Sequence, residues 1–287
     1  MIGLKEQKPT EEKEVEIIDK TLDTESNEQT QVKANHFEKA EQLAKVFNKD
    51  EKTLRDEMFL FAIKSLTCKL KKVIVNQTPK EQEIERLVLL SNKFSQEDIF
   101  VSPAFLTAVK RVTRKHLLEK SVKVGVIIDF PFGESLVRSK IISIRDCLKE
   151  GADKIMVTMP SSMLSSDNMR LFKRQCDKIS RLTKKPVGIA INSVNLSEEQ
   201  IKRIVKCCVK SKLEFITFVF NEDIEEKTFE KLSIISKYKS GKKHYVLGDF
   251  VDIEEIKRCL EYKVDSVLTC NSDVISCTLM EKFDIDY

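Results

Sequence analysis

The chain has 287 residues, 41% hydrophobic and 33% charged, which suits one large domain with a buried core and a heavily charged surface. Its 50 basic and 46 acidic side chains nearly cancel, leaving a net charge of +4, and they are interspersed, which argues against a nucleic-acid partner. No apolar run reaches the roughly 18 residues that cross a bilayer, so no membrane partner is expected. The polar N-terminus, Met1 to Ser26, carries acids as freely as lysines and has no apolar core of a leader peptide.

Residues 1–34 are rich in Glu, Lys, Thr and Gln and predict a flexible charged tail. Phe37, Ala40, Leu43, Ala44 and Phe47 then recur at helical spacing. A second helix is predicted from Asp50 to Leu70, with Leu54, Met58, Phe61, Ala62, Leu66 and Leu70 on one stripe. Residues 35–70 therefore form an expected amphipathic extension that caps the main fold or binds a partner. Capping is the favoured reading.

From residue 71 to 287 the rhythm is strand then helix. Predicted strands are Val73–Val75, Ile99–Ser102, Val122–Asp129, Lys154–Met159, Val187–Ile191, Glu214–Phe220, His244–Leu247 and Ser266–Cys270. Helices open near Pro79, Pro103, Ser135, Asp167, Ser197, Glu225, Ile253 and Ser272. Glu199 or Gln200 sits near a capping-box position after Ser197. Apolar strands joined by helices imply parallel pairing, and eight such units predict a closed α/β (β/α)8 TIM barrel. An open doubly wound sheet is the alternative. It would carry a glycine-rich phosphate turn after its first strand, and this chain has seven glycines in all and no such turn.

The eight cysteines make no CxxC pair, and their apolar settings predict free thiols in a reducing, cytoplasmic compartment. Adjacent Cys207 and Cys208 read as two small apolar helix residues rather than a metal pair. His36, His116 and His244 have no ligand spacing, so neither a metal nor a cofactor is expected.

Four short motifs stand in register with this periodicity. They are Phe130-Pro131-Phe132-Gly133 after the third strand, Gly151-Ala152-Asp153 before the fourth, Asn195-Leu196-Ser197-Glu198-Glu199 after the fifth, and Glu214-Phe215-Ile216 opening the sixth. Together they resemble the deoxyribose-phosphate aldolase family, whose fold is an aldolase-type TIM barrel. The resemblance implies a class I lyase that cleaves 2-deoxy-D-ribose 5-phosphate to glyceraldehyde 3-phosphate and acetaldehyde through a Schiff base. It places the nucleophilic lysine at Thr217, the acid at Met156 and the helper lysine near Tyr245. The family's phosphate turns fall at Gly248-Asp249 and at Thr269-Cys270-Asn271-Ser272.

A threonine hydroxyl cannot form an imine. Met156, Thr217 and Tyr245 thus read as degenerate catalytic positions, and Gly248, Asp249, Asn271 and Ser272 as a vestigial phosphate or ligand pocket. Phe218-Val219-Phe220-Asn221 replaces the family's hydroxyl-rich turn. Lys242, Lys243 and Lys154 sit at the wrong ends of strands to rescue the chemistry. The expectation is a catalytically deficient protein acting through a protein partner or by regulation, with a cytoskeletal partner suggested only by analogy to other aldolase barrels. The alternative is an active lyase with a relocated amine. A third possibility, a different barrel chemistry, would use Asp129, Asn192, Thr217, Tyr245 and Asp249. The terminal Tyr287 reads as part of a frayed tail.

Overall fold

The computed structural model describes Phe61 and residues 64–75, 79–164, 168–220, 224–238 and 241–282. Two compact units divide the chain between Ala62 and Ile63. The tail predicted over 1–34, most of the extension over 35–70, Asp167, Asn221 and Tyr287 lie outside the described residues. The second unit is a closed barrel of eight parallel strands in the order β1 to β8.

The strands are β1 (Leu70–Ile74), β2 (Asp98–Val101), β3 (Lys123–Ile128), β4 (Lys154–Met159), β5 (Val187–Asn192), β6 (Phe215–Phe220), β7 (Lys243–Gly248) and β8 (Ser266–Thr269). Between and after them run α1 (Glu81–Lys93), α2 (Leu106–Lys115), α3 (Val137–Lys149), α4 (Met169–Ser180), α5 (Glu198–Val209), α6 (Glu226–Lys237), α7 (Ile253–Glu261) and α8 (Ser272–Lys282). The predicted β4 is reproduced, and most other strands shift by one residue. β1 is the exception. It occupies Leu70–Ile74, where a helix is predicted as far as Leu70 and a strand only from Val73. Two adjacent lysines, Lys71 and Lys72, break the apolar run that marks the other strands.

β1 closes the ring, pairing Lys71 with Leu268 of β8 on one side and Val73 with Phe100 of β2 on the other. Outward strand residues such as Ile99, Val124, Ile155, Ile189 and Val267 pack beneath the helices and form the larger core. Inward residues form a second core, including Phe100, Ile127, Met156, Phe215, Tyr245 and Leu268. The Phe100 and Phe215 rings meet edge to face at 6.2 Å, and Phe215 stacks on Tyr245 at 4.9 Å. These rings fit because two inward positions are glycine. A Cβ on Gly125 would lie 2.5 Å from the Phe100 ring, and one on Gly188 would lie 2.1 Å from the Phe215 ring.

Two of the sequence motifs have structural duties. Gly151 ends α3 in the left-handed region (φ +94), and the Ala152 amide bonds back to the Cys147 carbonyl. Asp153 accepts from Lys110 Nζ at 2.8 Å and from the Val124 amide at 2.9 Å, tying α2 and the start of β3 to β4. Ser197 and Gln200 form a reciprocal capping box on α5, which decides between the two candidate residues. None of the eight cysteines, all among the described residues, forms a disulfide, and Cys208 is buried on α5.

Gly188→Ala is expected to destabilise the barrel by about 1–3 kcal/mol, the usual cost of overpacking a filled core. Adding Phe215→Leu should return part of that loss in urea unfolding. Additive losses in the double variant would mean that the ring and the glycine are not coupled. Burial alone would raise the Asp153 carboxyl, but the Lys110 and Val124 hydrogen bonds and the Lys110 and Lys185 charges outweigh it and hold the group below the usual range. Its stabilisation is then complete above about pH 4 and is lost as pH falls through the lowered folded-state value. Asp153→Asn should flatten the acid limb of stability against pH, measured by urea midpoints across that window.

Candidate functional site

The C-terminal mouth of the barrel opens on a cavity of about 560 Å³. Val73 lines it from β1, Val75 from just beyond that strand, Phe220 from the end of β6, and Leu247 from β7. Phe130, Pro131 and Phe132 form one wall, and Gly248, Asp249, Cys270 and Asn271 form the opposite one. Asp249 is the one charged side chain among the described residues that line it. Such a chamber favours apolar or neutral ligands over a phosphate, because the lone carboxylate repels anions.

The Phe130–Gly133 wall is held from outside the barrel. Gly133 sits at φ +73, and a Cβ there would lie 2.7 Å from the Thr158 backbone. Lys140 on α3 is 1% exposed and donates to the Gly133 carbonyl at 2.5 Å and the Thr158 carbonyl at 2.7 Å. Asp129 lies 3.1 Å from the same amine. Burial pushes the Lys140 amine below the usual lysine range, against the hydrogen bond and charge of Asp129. This lysine clamps the turn to the end of β4.

The opposite wall is braced by side-chain amide contacts. Asn271 donates to Asp249 Oδ1 at 2.8 Å and to the Phe250 carbonyl at 3.1 Å. Gly248, Asp249 and Asn271 are thus brought together at the cavity, as the sequence suggests. Ser272 is not with them. It is fully buried, and its hydroxyl faces Gln96 Oε1 at 3.2 Å. Beneath this turn Lys72 is buried and bonds to the Cys270 carbonyl and to Asp273.

Met156 and Thr217 are inward residues with no exposed surface, and Tyr245 is nearly as buried. Thr217 pairs with Ala190 on β5 and with Tyr245 on β7, below Val219 and Phe220. Its hydroxyl has no hydrogen-bond partner among the described residues. The five polar residues proposed for a different barrel chemistry do not converge. Asp129 turns to Ser135, accepting from its hydroxyl at 2.7 Å. Asn192 lines a separate surface pocket with Ser161 and Gln200. Tyr245 does not reach the C-terminal end of β7; it lines a chamber at the other mouth.

That N-terminal chamber, about 320 Å³, holds a group of charges that sequence reading missed. Lys71 and Lys154 lie at 2.5 Å from the two oxygens of Asp98. Lys154 is placed at the bottom of its strand, as expected. Lys71 was assigned to no strand, so its inward aim was not legible. Its amine also sits 5.8 Å from the centre of the Tyr245 ring. Burial raises the Asp98 carboxyl, but the charges of Lys71 and Lys154 overcome it and the group stays below the usual range.

Closed eight-strand connectivity with alternating helices defines a (β/α)8 barrel. No family model matches the chain. Among curated proteins, the deoxyribose-phosphate aldolase of Mycoplasmoides gallisepticum is 27% identical over 141 residues, 47% of this chain and 59% of that protein. The chain thus spans less than two thirds of that relative's length. The deoxyribose-phosphate aldolase of Aquifex aeolicus is 24% identical over 191 residues, 66% of this chain and 84% of that protein. A solved structure described as an aldolase superposes with a TM-score of 0.67 at 20% identity, covering 77% of this chain and 99% of that one. The deoxyribose phosphate aldolase from Aeropyrum pernix gives 0.65 at 14% identity, covering 79% and 96%. The structural likeness establishes the fold, and the sequence likeness supports the deoxyribose-phosphate aldolase family as the chain's kin.

Thr217→Val replaces an unpartnered buried hydroxyl with a methyl of the same shape. It is expected to leave stability unchanged or to raise it by up to about 1 kcal/mol in thermal or urea unfolding. A clear loss would mean that the hydroxyl holds something in the folded protein.

Proposed function

We propose that this chain is an aldolase-like protein that carries out no Schiff-base chemistry in its C-terminal chamber and acts by binding, with a protein as its partner. The observation that carries the reading is the identity of three inward residues. Met156, Thr217 and Tyr245 stand where the resemblance asks for an acid and two amines, and all three are buried inside the barrel. Imine formation needs a nucleophilic amine and a group that moves protons, and these side chains supply neither at that mouth.

A binding role is supported by the surface around the chamber. Phe132 is 69% exposed and Leu136 77% exposed, on the segment that follows β3. Val251, on the segment after β7, is 64% exposed. Large exposed apolar side chains beside an apolar cavity suit a protein contact better than a sugar phosphate. The second reading, an active lyase on 2-deoxy-D-ribose 5-phosphate with an amine elsewhere, is favoured by the names of the curated relatives.

The deciding experiment incubates the full chain with 2-deoxy-D-ribose 5-phosphate and follows acetaldehyde release with a coupled alcohol dehydrogenase. No release above a protein-free blank is expected. Sustained release that scales with protein concentration would overturn the reading. For binding, Phe132→Asp with Leu136→Asp should leave the circular dichroism spectrum intact and cut recovery of partners from a pull-down several-fold. Equal recovery would remove this rim from the interface.

A further inference from the structure

The near-balance of charge over the whole chain hides a local imbalance. Residues 169–212 hold twelve Lys and Arg against Asp177, Glu198 and Glu199, an excess well above the net charge of +4 for the whole chain. All twelve basic residues are exposed. Most of them belong to α4 and α5, which pack side by side on the barrel wall. The inner stripe of α4 buries Phe172, Cys176 and Ile179, and that of α5 buries Ile201, Ile204 and Cys208. Arg170, Lys173, Arg174 and Lys178 therefore fall on the outer side of α4, and Lys202, Arg203 and Lys206 on that of α5.

Little inside the protein answers these cations. Lys185 lies 3.8 Å from Asp153, and Arg203 lies 2.6 Å from Glu199. Among the described residues, the other ten have no carboxylate within salt-bridge distance. The face made by α1 and α2 is different, because its charges are matched. There Arg111 reaches Glu81 at 2.9 Å and Lys115 reaches Glu85 at 2.7 Å. On α4 and α5, like charges stand one turn apart at Arg170 and Arg174, at Arg174 and Lys178, and at Lys202 and Lys206. Such spacing weakens a helix. This face therefore carries a positive potential that an anionic partner relieves.

We propose that the outer face of α4 and α5 docks an acidic segment of a protein partner, one in which Glu and Asp are interspersed with aliphatic residues. Side-by-side helices lie about 8–10 Å apart, so an acidic helix or strand laid along the groove between them meets cations on both sides. The cations from Arg170 to Lys178 extend over about 12 Å of helix, enough for a segment rather than a single carboxylate. Leu171 is 42% exposed and Val209 45% exposed among these charges, and they give the aliphatic residues of such a segment a place to pack. A single-stranded nucleic acid would ask for exposed rings to stack on, and a bilayer for rings to seat at its interface. The one aromatic residue in 169–212 is Phe172, which is fully buried. Duplex bases are read by a helix lowered into a groove, whereas α4 and α5 lie flat against the barrel. This inference goes beyond the rim proposed above. It concerns a different surface and gives the partner a charge, so either surface can fail its test without the other.

The test uses the full chain and a fluorescein-labelled peptide of repeated Glu-Glu-Leu, followed by fluorescence anisotropy. Binding is expected at low ionic strength and should weaken at least about tenfold on going to about 0.15 M salt, as exposed charges become screened. Lys173→Glu with Lys206→Glu should weaken binding about tenfold or more, with the circular dichroism spectrum unchanged. Arg111→Glu with Lys115→Glu makes the same change in net charge on the matched α1–α2 face and should leave affinity within about twofold. Equal losses in the two double variants would mean that the peptide senses net charge alone, which overturns the proposal. No binding of the peptide at low salt would overturn it as well. The same chain is then offered duplex DNA and vesicles of phosphatidylcholine containing phosphatidylserine. Tighter binding to either of these than to the peptide would take the face away from a protein partner.

Discussion

β1 closes this barrel, and it does so with two consecutive lysines that point to opposite faces. Burying an ammonium is costly unless a carboxylate and further hydrogen bonds meet it. Lys71 turns inward to Asp98, and Lys72 turns outward to Asp273 and the Cys270 carbonyl. The strand that joins β8 to β2 is therefore fixed by two buried ion pairs as well as by its backbone ladder. Asp98 opens β2 and Asp273 lies in the first turn of α8, so the same contacts bind the first strand to its neighbours on both sides of the seam.

This seam also marks the limit of what the sequence reveals. β3 to β6 are apolar runs whose alternation of inward and outward side chains has no bearing on recognisability, since both faces are buried. They read as strands at once. In Leu70–Ile74 the charges interrupt that signal, and the partners that make them tolerable lie 27 and 201 residues away in the chain. No local pattern discloses such pairings. Three of the four family-like motifs were legible for the opposite reason. They do their work locally, as a turn, a helix stop or a cap, and Gly133, Gly151 and Ser197 show that work in the fold.

The site was legible in part. Gly248, Asp249 and Asn271 do share a wall, and Met156 and Thr217 do face inward. Tyr245 faces inward too, but it lies deep enough to belong to the opposite mouth. Ser272 was misplaced because strand-end position does not tell which way the first residue of a helix turns; here it turns to Gln96. Lys140 was overlooked because a lysine in a helix normally reads as solvated. Its role is to hold the Phe130–Gly133 turn from behind, which needs a long side chain ending in three donors.

The glycines at 125 and 188 carry one further consequence. By admitting the Phe100 and Phe215 rings, they build an aromatic partition across the barrel. Each mouth then drifts or can be engineered on its own, since a substitution at one end meets the rings before it reaches the other. A single strand ladder in this way supports two independent vestibules, back to back.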